Sequence, residues 1–377
     1  MFFDRVELGA LDPIFGLGAA FKADPRPDKI DLLVGVYRDE NLKTRPLACV
    51  EGLKIPTSCD YLPIEGLSPF VEALAEIAFG PSWRELKSRT FGAQALGGTG
   101  ALRVGADFFV QEVSKTIFIP DLTWPNHLNI FTRAGCKIER YPVLDWEKAR
   151  QVMHGKEGVV LLHAVCQNPT GLDPSPDEWR KLAHWFKGQK LLPFFDMAYQ
   201  GFGTGIAEDR APVELFASEG LEFALAYSCS KNFSLYGERV GAIFIAAKDG
   251  VQKERIGSQV KRIIRGSISN PPTFGARVVV QVLAEKRREW EAELTQMRGR
   301  LNALRKQFFD ESGLWPHLRG GLGMFIYPGI TPEQTQQLRE QEAIYTPEGG
   351  RINVAALNQK TMGRTIQAFR TVCKSSR

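Results

Sequence analysis

The sequence predicts an α/β fold in which helices and strands alternate along most of the chain. From about residue 68 to residue 246, short apolar runs of strand length alternate with longer runs of helical periodicity. The chain has 377 residues, enough for a large core and for two or more domains. Such alternation is typical of a mainly parallel sheet covered by helices.

The predicted elements follow from the local residue patterns. Apolar and β-branched runs predict strands at residues 89–96, 116–119, 159–163, 191–195, 223–227 and 240–246. Helical periodicity predicts helices at residues 69–79, 99–113 and 176–187. After Pro272 two long helical runs, 273–288 and 289–309, precede short strands near residues 323–327 and 351–355.

We expect three regions in the chain. Residues 1–45 form an N-terminal arm and part of a small domain, residues 46–299 a large ligand-binding domain, and residues 300–377 a small C-terminal domain. The basic and acidic residues, 48 and 43, are interspersed, so the net charge of +5 gives little support for nucleic acid binding. Six sparse cysteines without metal-ligand spacing are read as free thiols in a reducing compartment, with no metal. Charged residues close to Met1 come too early for the apolar segment of a secretory signal, and no apolar stretch is long enough to span a membrane. We therefore expect a cytoplasmic protein that has no membrane partner.

Lys231 is the most informative single residue, because it lies between two predicted core strands. A lysine there is either an ordinary one with a solvated head or a reactive one that is paired or bound covalently. Ser228, Ser230 and Arg239 supply hydroxyl donors and a fixed cation, a set that suits a dianionic phosphate. A lysine beside a phosphate site predicts a Schiff base to pyridoxal 5′-phosphate.

Unusual polar residues follow the ends of the predicted strands. They lie in residues 97–100, 121–127, 167–171, 196–199 and 228–231. Because ligands bind outside the carboxyl ends of parallel strands, these loops are expected to meet in one crevice. Arg239 instead precedes a strand, so it reaches the same crevice only if strand 240–246 runs antiparallel to the others.

Asp196 and Trp124 are candidates for contact with the cofactor ring. Asp196 ends an apolar strand, where a carboxylate needs a cation such as a protonated pyridine nitrogen. The alternative for Asp196 is a helix N-cap. The ring of Trp124, in a loop, can stack on a flat cofactor, and its alternative is ordinary core packing.

Tyr199 and Asn168 can hydrogen-bond the phenolic oxygen of the cofactor and so lower the pKa of the imine. His127 and His163 can hold Asp196 or Trp124 in place without touching the cofactor themselves, although a lone histidine is more often a core residue.

Gly98 and Thr99 lie between a strand and a helix, so the backbone there can seat an anion. A plain turn is the alternative, and the GxGxxG spacing of a dinucleotide fold is absent. Arg351, at the start of an apolar strand, can grip the α-carboxylate of a substrate, and Arg265 is a second such candidate; each can also be a surface arginine.

These residues together resemble the class I, fold-type I aminotransferases, in the subgroup that acts on aspartate and aromatic amino acids. The resemblance runs nearly end to end, through residues 12–14, 35–37, 61–66, 97–103, 124–127, 168–171, 196–202, 228–241, 269–272 and 350–354. It implies a large domain with a mostly parallel seven-stranded sheet flanked by helices, and a smaller α/β domain formed by both termini.

The resemblance also implies roles for individual residues. Lys231 would hold pyridoxal phosphate as a Schiff base and shuttle a proton. The cofactor would contact Gly98, Thr99, Trp124, Asn168, Asp196, Tyr199, Ser228, Ser230 and Arg239, with Tyr61 reaching its phosphate from the partner of a homodimer. The substrate would meet Gly35, Trp124, Asn168, Arg351 and, at its distal carboxylate, Arg265 of the neighbouring subunit.

Several motifs, among them residues 61–67 and 234–238, resemble the aromatic branch, so we expect a ping-pong aminotransferase for tyrosine and phenylalanine, and also aspartate, with 2-oxoglutarate. Aspartate aminotransferase is the alternative. Gln167 replaces the histidine often found before Asn-Pro-Thr-Gly, and Ser267-Ile268 replaces the common Asn-Tyr. A β-elimination lyase has little need of Arg265, and a regulator on this fold would carry a DNA-binding domain for which no residues are spare.

Overall fold

The computed structural model describes residues 2–7, 13–55 and 60–374. Its helices are α1 Pro13–Ala23, α2 Ser68–Phe79, α3 Trp83–Leu86, α4 Gly97–Glu112, α5 Asn126–Arg133, α6 Trp146–Met153, α7 Pro176–Phe186, α8 Ala211–Ser218, α9 Gly250–Ser267, α10 Phe274–Glu285, α11 Arg287–Ser312, α12 Pro332–Glu342 and α13 Met362–Lys374. Its strands are β1 Ile30–Asp31, β2 Thr90–Leu96, β3 Thr116–Pro120, β4 Lys137–Tyr141, β5 Glu157–His163, β6 Lys190–Met197, β7 Phe223–Ser228, β8 Val240–Ala246, β9 Phe325–Ile326, β10 Ile344–Tyr345 and β11 Ile352–Asn353. Asp12, in one of the motifs quoted above, and Cys59 lie outside the described residues.

The chain divides into two compact units. The larger holds residues 45–302 and 321–323, and the smaller holds residues 1–44, 303–320 and 324–377. In the smaller unit β1 pairs with β10 in parallel and β9 pairs with β11 antiparallel. Among the described residues, no helix is both long enough and apolar enough to cross a membrane.

A seven-stranded sheet forms the centre of the larger unit, with the strand order β2-β8-β7-β6-β5-β3-β4. Strands β3 to β7 are parallel to their neighbours within that group, whereas β8 is antiparallel to both β2 and β7. The predicted fold class, a mostly parallel seven-stranded sheet flanked by helices, is confirmed. The predicted reversal of the strand after Arg239 is confirmed as well.

β4 is the strand that the sequence analysis missed. It reads Lys-Ile-Glu-Arg-Tyr and lies at one edge of the sheet, where only Tyr141 is buried. Edge strands carry charges that discourage further pairing, and those charges hide the alternation that identifies a strand. The other six strands of this sheet were predicted to within three residues at each end.

One part of the core of the larger unit is formed by residues of the sheet and of the helices α4 and α9. Its buried members include Phe109 of α4, Phe194 of β6 and Ile243 of β8, with the rings of Phe109 and Phe194 4.9 Å apart. Gly105 lets α4 approach the sheet closely, because a Cβ there would lie 2.8 Å from Phe194 Cζ. This close packing fixes the position of the α4 N-terminus, which begins directly after β2.

The variant Gly105→Ala should therefore be less stable than the wild type. The added methyl gains helix propensity, but it must displace a packed ring, and overpacking of this kind costs about 1–3 kcal/mol. Gly299→Ala is the matched control, because Gly299 lies in α11 with no atom within 4 Å of its added Cβ, and there the change should stabilise by up to about 1 kcal/mol. Urea unfolding of both variants measures the difference. Equal shifts in the two variants would contradict the close-packing explanation.

Candidate active site

The predicted cofactor residues of the larger unit gather where strand ends meet. His163 at the end of β5 is opposite Asp196 on β6, since the two strands pair in parallel register. Because β8 is antiparallel, its first residues face the ends of two strands: Val240 is opposite Leu96, and Gly241 is opposite Ser228. The reversal therefore brings the residues before Val240 close to the C-terminal ends of β2 and β7.

Lys231 lies in the turn after β7 and is half-buried. Its Nζ is 5.0 Å from the centre of the Tyr199 ring. The turn is anchored through the next residue, since Asn232 Nδ2 donates to the Tyr227 hydroxyl at 2.8 Å and its carbonyl accepts from Trp290 Nε1 at 2.6 Å. These buried hydrogen bonds limit the positions from which the Lys231 amine can act.

Asp196 is buried, and its Oδ2 lies 3.1 Å from His127 Nε2. Burial by itself raises the pKa of this carboxyl, but the hydrogen bond from His127 and the electrostatic effects of His127, His163 and Lys231 together outweigh burial and leave the pKa below its ordinary value. The carboxylate is therefore ionised at neutral pH.

A single chain of hydrogen bonds leads from Asn168 to Asp196. The Asn168 N–H donates to His163 Nδ1 at 3.3 Å, so the other ring nitrogen carries the proton and donates to Thr123 Oγ1 at 3.2 Å. The Thr123 hydroxyl can then donate to His127 Nδ1 at 2.7 Å, which leaves His127 Nε2–H for Asp196. Burial lowers the pKa of His163 to about 3, so this ring is neutral, as the chain requires. We call Thr123, His127, His163 and Asp196 the relay.

The relay also bears on metal binding. The ligand atoms of His127, His163 and Asp196 lie within 4.8 Å of one another, a spacing that a metal ion could use. In the relay, however, both ring nitrogens of His127 and both of His163 already make hydrogen bonds. The cluster is therefore better explained as support for Asp196.

The predicted phosphate site lies between β2, β7 and the turn before β8. A Cβ at Gly98 would lie 3.0 Å from Ser228 Cβ, and one at Gly97 would lie 2.7 Å from Arg239 Nη2. Arg239 has φ of 54°, and its Nη1 is 3.4 Å from Ser230 Oγ. The absence of side chains at Gly97 and Gly98 therefore lets the Arg239 guanidinium and Ser228 approach the start of α4 closely.

Thr99 lies in the first turn of α4, and Gly97 and Gly98 begin that helix. Helix amides, serine and threonine hydroxyls and a guanidinium all donate hydrogen bonds, a set that fits a phosphate dianion. Together with the Lys231 amine and the ionised Asp196, they fit a phosphate-bearing aldehyde with a basic ring nitrogen. Trp124 is half-buried, with its ring 5.3 Å from that of His127.

In the smaller unit the structure brings Arg351 close to the segment that contains Gly35. Arg351 is 4% exposed, its Nη2 donates to the Leu33 carbonyl at 2.5 Å, and its Cζ is 4.3 Å from the centre of the Phe325 ring. Asn353 Nδ2 donates to the carbonyls of Val34 and Val36, on either side of Gly35. This role of Asn353 was not predicted from the sequence, because only the folded chain brings residues so distant in sequence together.

Tyr61 and Arg265 lie at the surface of the larger unit. The Tyr61 side chain is 89% exposed. Arg265 is exposed in the last turn of α9, where its Nη1 donates to Ser269 Oγ. Both side chains are therefore accessible in a single chain.

The buried, neutral state of His163 predicts a pH-dependent loss of stability. Unfolded His163 binds a proton below about pH 6.5, and the folded ring does so only near 3, so stability falls as the pH drops between these values. His163→Gln should remove this contribution and reduce the slope by up to about 1.4 kcal/mol per pH unit. Urea unfolding of both proteins across this range measures it, and the change of slope separates His163 from the carboxyls that also titrate. The control is His184→Gln, because His184 is exposed. Identical slopes in wild type and His163→Gln would contradict the assignment.

Comparison with known proteins gives a consistent result. The family described as aminotransferase class I and II matches residues 27–369. Aspartate aminotransferase of Pseudomonas aeruginosa is 40% identical, over 97% of this chain and 98% of its own. An aromatic-amino-acid aminotransferase of Burkholderia pseudomallei, covalently bound to pyridoxal phosphate, has a TM-score of 0.91 at 39% identity, covering 99% of each chain. An aromatic aminotransferase of Psychrobacter sp. B6, crystallised with aspartic acid, has a TM-score of 0.91 at 31% identity, covering 99% of this chain and 100% of its own. The chain belongs to the class I and II aminotransferases.

Proposed function

We propose that this aminotransferase holds pyridoxal phosphate on Lys231 and transfers the amino group of aromatic amino acids and of aspartate to 2-oxoglutarate. The observation that carries the proposal is that a buried, ionised carboxylate, a lysine amine whose charge lowers the pKa of that carboxyl, and a donor-rich anion site all lie where strands of the sheet end. Ordinary surface lysines have no such surroundings.

When bound, the cofactor supplies an electron-withdrawing ring that takes up the electron pair released at the α-carbon of the amino acid. Asp196 keeps a positive charge on the ring nitrogen, since its carboxylate is ionised and directed by His127. Trp124 would lie against the face of the ring, and Asn168 and Tyr199 would donate hydrogen bonds to its phenolic oxygen.

Other residues bind the phosphate of the cofactor and the α-carboxylate of the substrate. Gly98, Thr99, Ser228, Ser230 and Arg239 bind the phosphate. Lys231 Nζ would accept the proton from the α-carbon of the substrate and return it to C4′ of the cofactor, and the anchored turn limits the positions that the amine can take. Arg351 and the backbone at Gly35 bind the α-carboxylate, while Trp124 and Asn168 border the substrate.

We further propose that the enzyme acts as a homodimer with shared sites, in which Tyr61 of one subunit reaches the phosphate held by the other. The 89% exposure of Tyr61 supports this arrangement, because a large aromatic side chain left in water suits an interface. The exposure of Phe2 and Phe3, at 99% and 83%, supports it as well. The cytoplasmic location stays a prediction.

Two sets of relatives support different amino acids. The 40% identity to a bacterial aspartate aminotransferase favours aspartate, whereas the fold similarity to aromatic aminotransferases at 39% and 31% identity favours aromatic substrates. Arg265 is compatible with both, because an exposed guanidinium can bind a distal carboxylate or turn into solvent when an aromatic ring enters. Ser267 and Ile268 lie beside it and are expected to tune the choice.

Lys231→Ala should abolish both turnover and the visible absorbance of the covalently bound cofactor, because no other amine takes the place of Lys231 Nζ. Absorbance spectra and a transamination assay with 2-oxoglutarate test this. Lys248→Ala, which removes an exposed lysine of the same unit, should keep both signals. Retention of either signal in Lys231→Ala would overturn the assignment.

Arg265→Ala should reduce kcat/KM for aspartate on the order of 100-fold, since loss of one partner of a charged, hydrogen-bonded pair costs several kcal/mol. Phenylalanine makes no such pair, so its kcat/KM should change far less. Arg262→Ala removes another exposed arginine of α9 and should leave both values near wild type. The measurement is kcat/KM for aspartate, phenylalanine and tyrosine side by side, and an equal loss on all three would remove Arg265 from the substrate site.

A further inference from the structure

Gln167 makes a buried bridge between two loops of the site. The residue is 2% exposed, and its Nε2 donates to the Leu122 carbonyl at 2.6 Å. Its Oε1 accepts from both the backbone N–H of Thr170, at 2.9 Å, and the Thr170 hydroxyl, at 2.5 Å. A glutamine this buried has exchanged its hydration for these three hydrogen bonds, so each one bears on the local geometry.

The orientation of the Gln167 amide follows from its partners. The Thr170 N–H can only donate, and the Thr170 hydroxyl accepts from Leu172 N–H at 3.1 Å, so its own proton points to Gln167. A flipped amide would place donors against donors on one side and an oxygen against the Leu122 carbonyl on the other. Gln167 therefore needs both a donor and an acceptor in this orientation.

The backbone from which Gln167 projects is also fixed. The two carboxylate oxygens of Asp173 accept from the N–H groups of Cys166, at 2.7 Å, and Gln167, at 2.9 Å. Because two consecutive amides are held by one side chain, the direction of the Gln167 side chain has little freedom. A change at Gln167 must then be absorbed by the loop it reaches, at Leu122.

The bridge joins the segments that carry two predicted ring contacts. Leu122 precedes Thr123 of the relay and is two residues before Trp124, while Gln167 directly precedes Asn168. The relay joins the same segments a second time, through Thr123 and His163 to the Asn168 N–H. Two bridges fix the spacing of two loops, where one would leave them free to hinge.

We infer that Gln167 is a positioning residue that sets the distance between Trp124 and Asn168 and thereby the protonation of the bound cofactor. This inference rests on the proposed function, because it places the cofactor ring between these side chains. A hydrogen bond from Asn168 to the phenolic oxygen favours the unprotonated form of the imine. If Gln167 no longer holds the loops, that bond weakens and the imine keeps its proton to higher pH.

Three substitutions separate the donor and acceptor of the bridge. Gln167→Glu keeps the shape and the acceptor but loses the donor to Leu122, and Gln167→Met loses both. Gln167→His keeps one ring nitrogen for each task and is the rescue variant. Gln334→Met is the matched control, because Gln334 is another buried glutamine that donates to a backbone carbonyl, that of Val372, and it lies in the smaller unit.

The first readout is the pH midpoint of the visible absorbance change of the purified holoenzyme. Gln167→Met and Gln167→Glu should raise this midpoint by on the order of 1 pH unit, Gln167→His should restore most of the shift, and Gln334→Met should lose stability without any shift. A midpoint unchanged in the Glu and Met variants would reduce Gln167 to a structural residue. A histidine variant shifted as far as Met would overturn the donor and acceptor bridge. If Gln167→Met does not fold, the midpoints of Gln167→Glu and Gln167→His are compared with each other, and this comparison tests the inference.

The second readout, hydrogen exchange of a peptide that covers residues 121–125, separates this inference from the proposed function. Exchange in the cofactor-free protein should accelerate in Gln167→Met and Gln167→Glu, and remain near wild type in Gln167→His. Unchanged exchange in all variants would overturn the bridge even if the enzyme is a transaminase. Wild-type protein that binds no pyridoxal phosphate would overturn the proposed function and the effect on the cofactor, whereas the exchange would still decide whether Gln167 joins the loops.

Discussion

The ionised Asp196 is the constraint on which the rest of the site depends. A carboxylate buried at the end of an apolar strand is costly unless donors and a positive charge surround it. His127 supplies the donor and Lys231 supplies charge, and both lower the pKa of the Asp196 carboxyl against the effect of burial. The strand register places His163 opposite Asp196, so the same pairing that builds the sheet also positions the support for the charge.

His163 supports Asp196 only because it stays neutral. A charged ring would have to donate from both nitrogens, yet its Nδ1 already faces the donor N–H of Asn168. Burial and the neighbouring His127 hold the pKa of His163 low, which keeps one nitrogen as an acceptor. Every hydrogen bond of the relay is therefore donated in the same direction along the chain, and the last one is donated to the carboxylate of Asp196. If water filled this end of the sheet, His163 would not be buried and the hydrogen bonds of the relay would not keep one fixed order.

The sequence predicted the features that depend on local pattern, and it missed those that depend on contacts between distant residues. Polar residues after the strand ends were enough to predict that these side chains gather where the parallel strands end, and the position of Arg239 was enough to predict an antiparallel β8. The charges of Lys137, Glu139 and Arg140 concealed β4, because an edge strand has no alternating buried face. The roles of Thr123 and Asn353 were missed because they depend on His163, 40 residues away from Thr123, and on Val34, more than 300 residues away from Asn353.

Gln167 illustrates how a departure from a family pattern changes meaning once its contacts are known. In the sequence it is a substitution next to Asn168, and its proximity to the predicted substrate site raises the question of specificity. In the structure its side chain is engaged by Leu122 and Thr170, with all three hydrogen bonds made to protein atoms. A side chain so engaged has little capacity left to select a substrate directly. It acts on the loops instead, and a glutamine and a histidine are interchangeable there to the extent that each offers one donor and one acceptor.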